Sequence, residues 1–259
     1  MRKILVSLLF FLLLAASPLL ADVAGKTFVN GYGPYLPPFA YHDHHGVATG
    51  FDIEALNWIA NKMGFKVRHE AVEWTKIIDR LREKKIDLIA SGLSVTPERA
   101  NVIKFTRPYW QVYQLVLVRS DSTLSAADIL TGGSKIGVMA GTSEAQAMEK
   151  AKNQNGRNYT LSTYASAALA ASDVVNGRIA ATVLNTVSAG EVIKHLAVKV
   201  AGSAGIPSEE YAYGVNPENQ ELLEALNLGL ELLTQDPYWW TLQEKYSPGV
   251  SPEQYNPNQ

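Results

Sequence analysis

An α/β fold with mostly parallel sheets is predicted by this 259-residue sequence on three observations. Short apolar strand candidates alternate with helical repeats along nearly the whole chain, the rhythm of crossover units. The residues with chemical potential cluster where a strand ends and a helix begins, the place an open α/β sheet leaves for a ligand. The composition, 47% hydrophobic and 19% charged, belongs to ordinary globular proteins and excludes disordered and collagen-like chains. This length admits one large domain or two of about 100 to 150 residues, each able to bury its own core without a metal or staple.

The first element is an address. Arg2 and Lys3 precede an apolar run over residues 4–16, and Ser17 and Pro18 then lead to Leu19, Leu20 and Ala21. That is the layout of a secretory signal. A membrane anchor needs about 20 apolar residues, and this run is shorter and broken by Pro18. The expectation is therefore a signal peptide over residues 1–21, removed on export to the periplasm, with a cut after Ala24 as the rival. Cleavage after Ala21 leaves 21 basic against 25 acidic side chains. So balanced a chain has no broad basic field for a phosphate backbone, and nucleic acid is excluded as the expected partner. The absence of cysteine removes thiol catalysis and disulfides.

Residues 26–31 read as the first strand, 35–39 as a proline-stiffened loop and 42–46 as a hairpin turn. From Asp52, the apolar residues Ile53, Leu56, Ile59, Ala60 and Met63 recur at helical spacing, with Asp52 as N-cap and Gly64 as stop. A half-buried strand over 65–71, a helix over 75–84 and a strand over 86–90 complete a first unit. Residues 114–118 read as a buried strand, 119–122 as a loop where a second unit begins, 135–139 as a strand and 143–152 as a helix. An alanine-rich helix over 164–176 and a strand over 179–184 follow. Residues 211–215 read as a strand, and Asn216-Pro217 as the cap of a long helix with Leu222, Leu223, Leu226, Leu230 and Leu233 on one stripe. Asp236-Pro237 starts a last helix with Trp239 and Trp240 in the core, before a loosely held tail from Ser247.

Residues 91–99, Ser-Gly-Leu-Ser-Val-Thr-Pro-Glu-Arg, are the most informative stretch. Thr96 is placed as N-cap and Pro97 at the first helical position, which puts Arg99 in the first turn. A cation there opposes the helix dipole by up to about 1 kcal/mol, so local helix physics does not explain it. A carboxylate to be clamped does, since guanidinium presents a matching fork, and Ser91, Gly92 and Ser94 complete an anion cradle. The competing explanation is a surface pair between Arg99 and Glu98 or Glu83. A second cradle, Gly141-Thr142-Ser143, sits between a strand and a helix, where capping alone would require only Ser143. Tyr35, Phe39 and Trp74 supply aromatic walls. Residues 42–45, His-Asp-His-His, read as a solvated turn without ligand spacing, so neither metal nor cofactor is expected. G-x-S-x-G, P-loop and dinucleotide motifs are absent from the sequence.

With these residues in view, the chain resembles the periplasmic amino-acid-binding proteins of ABC importers, the bacterial extracellular solute-binding proteins of family 3. The resemblance covers nearly the whole chain after residue 21 and is carried by residues 35–39, 49–54, 85–87, 91–99 and 105–109. It implies a two-lobed periplasmic-binding-protein fold: lobe 1 from 22–117 and 213–259, lobe 2 from 118–212, joined by two strands near residues 117–121 and 210–214. It implies that Arg99 binds a ligand carboxylate with Ser91, Gly92 and Ser94, that Phe39 and Trp74 flank the ligand, and that Thr142 closes on it from the second lobe. It also implies a monomer with no catalytic residues that delivers a small ligand, an amino acid or related carboxylate, to an ABC importer permease. One position departs from the pattern. Asn185 stands where the family usually has an aspartate for the ligand ammonium; an amide oxygen accepts the same bond without the charge. Glu70, Glu73 and Glu209 are the acids within sequence reach. The alternative is a dehydratase on the same fold, similar to cyclohexadienyl or arogenate dehydratases, with Glu209, Glu210 or Glu73 as the acid.

Overall fold

A computed structural model of the chain describes residues 22–246; the signal expected over 1–21 and the tail from Ser247 lie outside them. Two five-stranded sheets repeat one plan. In the first, the strands run in the order Lys66–Ala71, Thr27–Tyr32, Leu88–Ile89, Gly214–Val215, Lys104–Phe105. The second is ordered Tyr159–Tyr164, Ser134–Met139, Ala181–Asn185, Gln114–Arg119, Val198–Ser203. In each, the first three strands are parallel, the fourth runs antiparallel to both its neighbours, and the fifth again runs in the direction of the first three. This is the two-lobed periplasmic-binding-protein fold.

Alternation puts Val116 and Val118 of Gln114–Arg119 into one apolar cluster and Leu115 and Leu117 into the other, so that the strand is buried on both faces. The first sheet is likewise covered on both sides. Helix Phe51–Met63 packs with Gln220–Gln235 on one face, and Ile77–Arg82 covers the other. The leucine stripe of Gln220–Gln235 is buried at Leu222, Leu226, Leu230 and Leu233, each worth about 1.5 to 3 kcal/mol relative to exposure.

Several local expectations change. The cap of Phe51–Met63 is Gly50 and not Asp52. Gly50 has φ 125°, and a Cβ there would run into the Phe39 carbonyl. Asp52 lies inside the first turn, fully buried, and accepts from Gly92 N at 2.5 Å and Tyr109 Oη at 2.6 Å. Burial raises its carboxyl to about 7 against those two donors. The long C-terminal helix is capped by Asn219, while Asn216 donates to Leu81 O at 2.9 Å. The helix expected over 164–176 is Ala167–Val175, and the stretch before it is the strand Tyr159–Tyr164. Its polar sequence hides an edge strand that is defined only by pairing to Ser134–Met139. Trp239 is buried, as expected, but Trp240 is 65% exposed, because consecutive helical positions face different directions.

Strands Trp110–Val112 and Glu209–Tyr211 pair antiparallel and form the ribbon between the two sheets. Gln114–Arg119 belongs to the second sheet along its whole length. The first crossing therefore lies just before Gln114, upstream of the expected residues 117–121; the second, at Glu209–Tyr211, falls close to the expected 210–214. Register explains the difference: Leu117 pairs with Thr182 and Val200, so it cannot also serve as a connector.

Candidate functional site

The strand ends of both sheets face each other across a cleft beside the ribbon. From the first lobe come the turn after Leu88–Ile89, with Ser91, Gly92 and Ser94, and the four-residue helix Pro97–Ala100 with Arg99. Thr96 caps that helix, accepting from Arg99 N at 3.2 Å, with Pro97 at its start, as the sequence predicts. From the second lobe come Gly141, Thr142, Ser143 and Glu144, after Ser134–Met139, and Asn185 at the end of Ala181–Asn185. All of these except Ser91 and Gly141 line one small cavity together with Leu36, Trp74, Met139 and Tyr211. It measures about 20 Å³, room for roughly one water, so an amino-acid-sized molecule enters only when the lobes part.

Arg99 is half-buried and points across the cleft: Nη1 donates to Ser94 O at 2.9 Å and Nη2 to Gly141 O of the other lobe at 3.4 Å. Its guanidinium carbon lies 5.9 Å from the centre of the Trp74 ring, within cation–π range. Among the described residues it forms no ion pair. Glu98 is taken by Lys150 at 2.7 Å and Glu83 by Lys85 at 2.6 Å, so the surface pairs that would have explained Arg99 are not made. Burial lowers the pKa of Arg99, opposed by the charge of Glu209.

The other first-lobe residues are arranged less directly. Ser91 is fully buried and its Oγ accepts from Gly33 N at 3.0 Å, tying two strand ends together. Gly92, with φ +58°, spends its N–H on Asp52; a Cβ would stand 3.2 Å from the Tyr211 ring. Ser94 Oγ donates to Glu209 Oε2 at 2.5 Å. Phe39, expected against the ligand, packs edge-on to Phe51, Trp110 and Tyr211 and does not line the cavity. Tyr211 lines the cavity with Trp74, and Phe39 packs edge-on against Tyr211.

The second lobe departs most from expectation. The Thr142 hydroxyl donates to Met139 O at 2.8 Å and accepts from Ala145 N at 3.2 Å, capping its own helix. The neighbouring hydroxyl, Ser143 Oγ, faces the other lobe and donates to Glu209 Oε2 at 2.7 Å. Cap and cleft contact are thus the reverse of the assignment read from sequence, because the cap of helix Ser143–Ala151 is Thr142, one residue before the expected Ser143. Asn185 is buried and lines the cavity, yet its Oδ1 accepts from Val187 N at 3.1 Å and Ser188 N at 2.9 Å as the cap of helix Thr186–His195. The oxygen expected to meet an ammonium group is therefore committed to the backbone.

Glu144, which sequence reading overlooked, is the buried acid of the cavity at 5% exposure. Burial raises its carboxyl to about 8, followed by repulsion from Glu209, with Arg99, Asn185 and Thr142 opposing. Of the acids within sequence reach, Glu209 arrives at the edge of the cleft. Glu70 pairs with Arg68 and Arg80, and Glu73 with Lys76. Gln114 was also missed. Its side-chain amide is buried with neither end hydrogen-bonded, opposite Asn185 in the antiparallel register.

The profile of the bacterial extracellular solute-binding proteins, family 3, matches residues 28–249. The chain belongs to that family. Among curated relatives, the L-cystine-binding protein TcyJ of Escherichia coli strain K12 is 27% identical over 226 residues, covering 86% of this chain and 82% of that protein. The lysine/arginine/ornithine-binding periplasmic protein of the same strain is 29% identical over 218 residues, with coverage of 81% and 79%. A solved ancestral amino acid-binding protein, described as a precursor of cyclohexadienyl dehydratase, is 30% identical with a TM-score of 0.77, covering 85% of this chain and 95% of that one. An ancestral arginine-binding protein bound to arginine is 29% identical with a TM-score of 0.77, covering 85% and 98%. These four are named as binding proteins and not as enzymes. In this family 3 solute-binding protein, the unpaired cation, the aromatic side chains and the facing strand ends form a lobe-to-lobe cavity that combines Arg99 with the buried acid Glu144.

Proposed function

We propose that this chain captures an amino acid between its lobes in the periplasm and delivers it to an ABC importer permease. The observation that carries the reading is Arg99: a half-buried guanidinium, free of any carboxylate among the described residues, aimed from one lobe at the other across the cavity. A buried cation without a counter-ion is costly, and a ligand carboxylate repays that cost with a bidentate bond. Trp74 and Tyr211 supply flat aromatic surface to the cavity, while Ser94 and Ser143 bring hydroxyls to its rim. Binding stabilises lobe closure about the ribbon, and the closed pair of lobes is the signal a permease reads. In this reading lobe 1 comprises 22–113 with 212–246, lobe 2 the residues between, and the protein acts as a monomer. Residues 1–21 are the export signal, removed before function. No helix among the described residues is long and apolar enough to cross a membrane.

The test is thermal unfolding against a panel of L-amino acids, L-cystine, keto acids, prephenate and arogenate. A ligand at 100 times its Kd adds about 2.7 kcal/mol, several degrees for a protein of this size. A shift with an amino acid and no new product on long incubation supports the reading. A shift or turnover with prephenate or arogenate alone overturns it in favour of a dehydratase, for which Glu144 supplies a protonated acid beside the cavity.

A further inference from the structure

We propose that Glu144 is the group that recognises the ligand's ammonium, so that the site selects α-amino acids over their deaminated counterparts. The inference rests on the reading of Arg99 as the carboxylate clamp and deepens it.

The geometry is one of opposed charges from opposed lobes. Arg99 enters the cavity from Pro97–Ala100 and Glu144 from the first turn of Ser143–Ala151. Both line the same cavity, so a molecule that bridges them presents an anion to Arg99 and a cation to Glu144, as the carboxylate and ammonium of an α-amino acid do. A plain carboxylic acid satisfies Arg99 and leaves Glu144 buried without a cation; a zwitterion satisfies both.

Three other acceptors in or beside the cavity are already engaged. Asn185 Oδ1 caps a helix, the Thr142 hydroxyl is used twice within its own turn, and Glu209 Oε2 holds two serine hydroxyls. Glu144, 5% exposed, forms no ion pair among the described residues. Its carboxyl, steadied by the side chains of Asn185 and Thr142, has no cation within ion-pair distance among the described residues.

Charge bookkeeping adds a thermodynamic signature. The groups that face Glu144 are Glu209 and Tyr211 from the ribbon strand Glu209–Tyr211, Arg99 from the first lobe, and Asn185 and Thr142 from its own lobe. Burial and the Glu209 charge favour the protonated acid near neutral pH. An arriving ammonium favours the anion. Binding therefore expels a proton from the Glu144 carboxyl to solvent, while the ligand's ammonium keeps its own.

The experiment is calorimetric titration at pH 7 with three matched pairs: L-arginine and argininic acid, L-histidine and imidazolelactate, L-phenylalanine and phenyllactate. Each is run in two buffers of different ionisation enthalpy, on the wild type and on Glu144→Gln. The expected result is at least tenfold preference for the amino acid of whichever pair binds, with release of between half and one proton. Glu144→Gln should lower amino-acid affinity by tenfold or more, abolish proton release and leave the hydroxy acid unchanged or tighter. If Glu144→Gln does not fold, the wild-type proton count decides alone: no proton released overturns the proposal. Amino-acid binding that Glu144→Gln leaves intact overturns the role of Glu144 while the proposed function stands. If none of the three amino acids binds, the titration is repeated with whichever amino acid of the unfolding panel raises the melting temperature; failure of every amino acid in that panel, or tighter binding of the hydroxy acid by the wild type, overturns both.

Discussion

Ser143 Oγ, in the second lobe, lies 2.7 Å from Glu209 Oε2 on the ribbon between the lobes. The same oxygen accepts from Ser94 Oγ of the first lobe at 2.5 Å. One carboxylate thereby fastens both halves of the cleft to the element about which they turn. The cost of holding a half-buried Glu209 charge next to Glu144 is offset by these two charge-assisted bonds and by the field of Arg99.

Ser143→Ala should loosen that fastening without unfolding either lobe. Loss of one hydrogen bond to a charged group costs about 1.5 to 3 kcal/mol when it is well made. In solution scattering, the variant should have a larger mean radius of gyration and a weaker ligand affinity, by tenfold or more. Equal radii and equal affinities would show that the bond does not couple the lobes.

Arg99→Ala should remove carboxylate binding, at a cost of roughly 3 to 5 kcal/mol, since it takes one partner from a desolvated pair. Arg99→Lys should recover little of it, because an ammonium keeps the charge and loses the planar fork. The fold should survive both changes. Titration calorimetry and circular dichroism on the same samples separate the two effects, and undiminished affinity in Arg99→Ala would remove Arg99 from the site.

At Asn185 the cap and the pocket make separable demands. Asn185→Ala should destabilise the second lobe by about 0.5 to 2 kcal/mol through loss of the two bonds to Val187 and Ser188. Asn185→Asp should keep the cap. It places a second carboxylate near Glu144, so ligand-free stability should fall less than in Asn185→Ala at pH 5 and more steeply with rising pH. Thermal melts at pH 5 and pH 8 check both statements.

The Glu144 carboxyl, about 8 in the folded protein against a usual 4.5, links stability to pH with a definite sign. Between those values the folded state holds a proton that the unfolded chain has released. Stability from this group is therefore complete below pH 4.5, declines as pH rises and is lost through pH 8. Glu144→Gln should flatten that part of the profile and be the more stable form above pH 8. Denaturant unfolding from pH 5 to 9 measures it, and parallel profiles for wild type and variant would contradict the assignment.

Gly92→Ala should harm binding and stability together. The residue has φ +58°, a left-handed conformation that costs an L side chain about 1 to 2 kcal/mol. The added methyl would sit 3.2 Å from the Tyr211 ring, one wall of the cavity. A melting temperature lowered by several degrees and weaker ligand affinity are the expected outcomes.

Local rules were enough for much of this protein. The alternation of apolar strands and helices determined an α/β chain, and Thr96-Pro97 determined where the Arg99 helix starts, because caps and proline act over three or four residues. A cation in a first turn was legible as a residue without a local reason to be there. The register of Gln114–Arg119 was not legible, since a buried strand reads the same whichever sheet receives it, and so the lobe crossing moved. Tyr159–Tyr164 was hidden because a polar edge strand exists only through its neighbour. The division of labour between Thr142 and Ser143 turned on a single residue of helix phase, which rotates one hydroxyl into its own helix and the next across the cleft. Glu144 looked like an ordinary first-turn acid; only the approach of the other lobe buried it, set it beside Glu209 and opposite Arg99, and made it a group with chemistry. Short-range order is written in neighbouring residues, whereas burial and charge depend on distant parts of the chain, and those meet only in the tertiary structure.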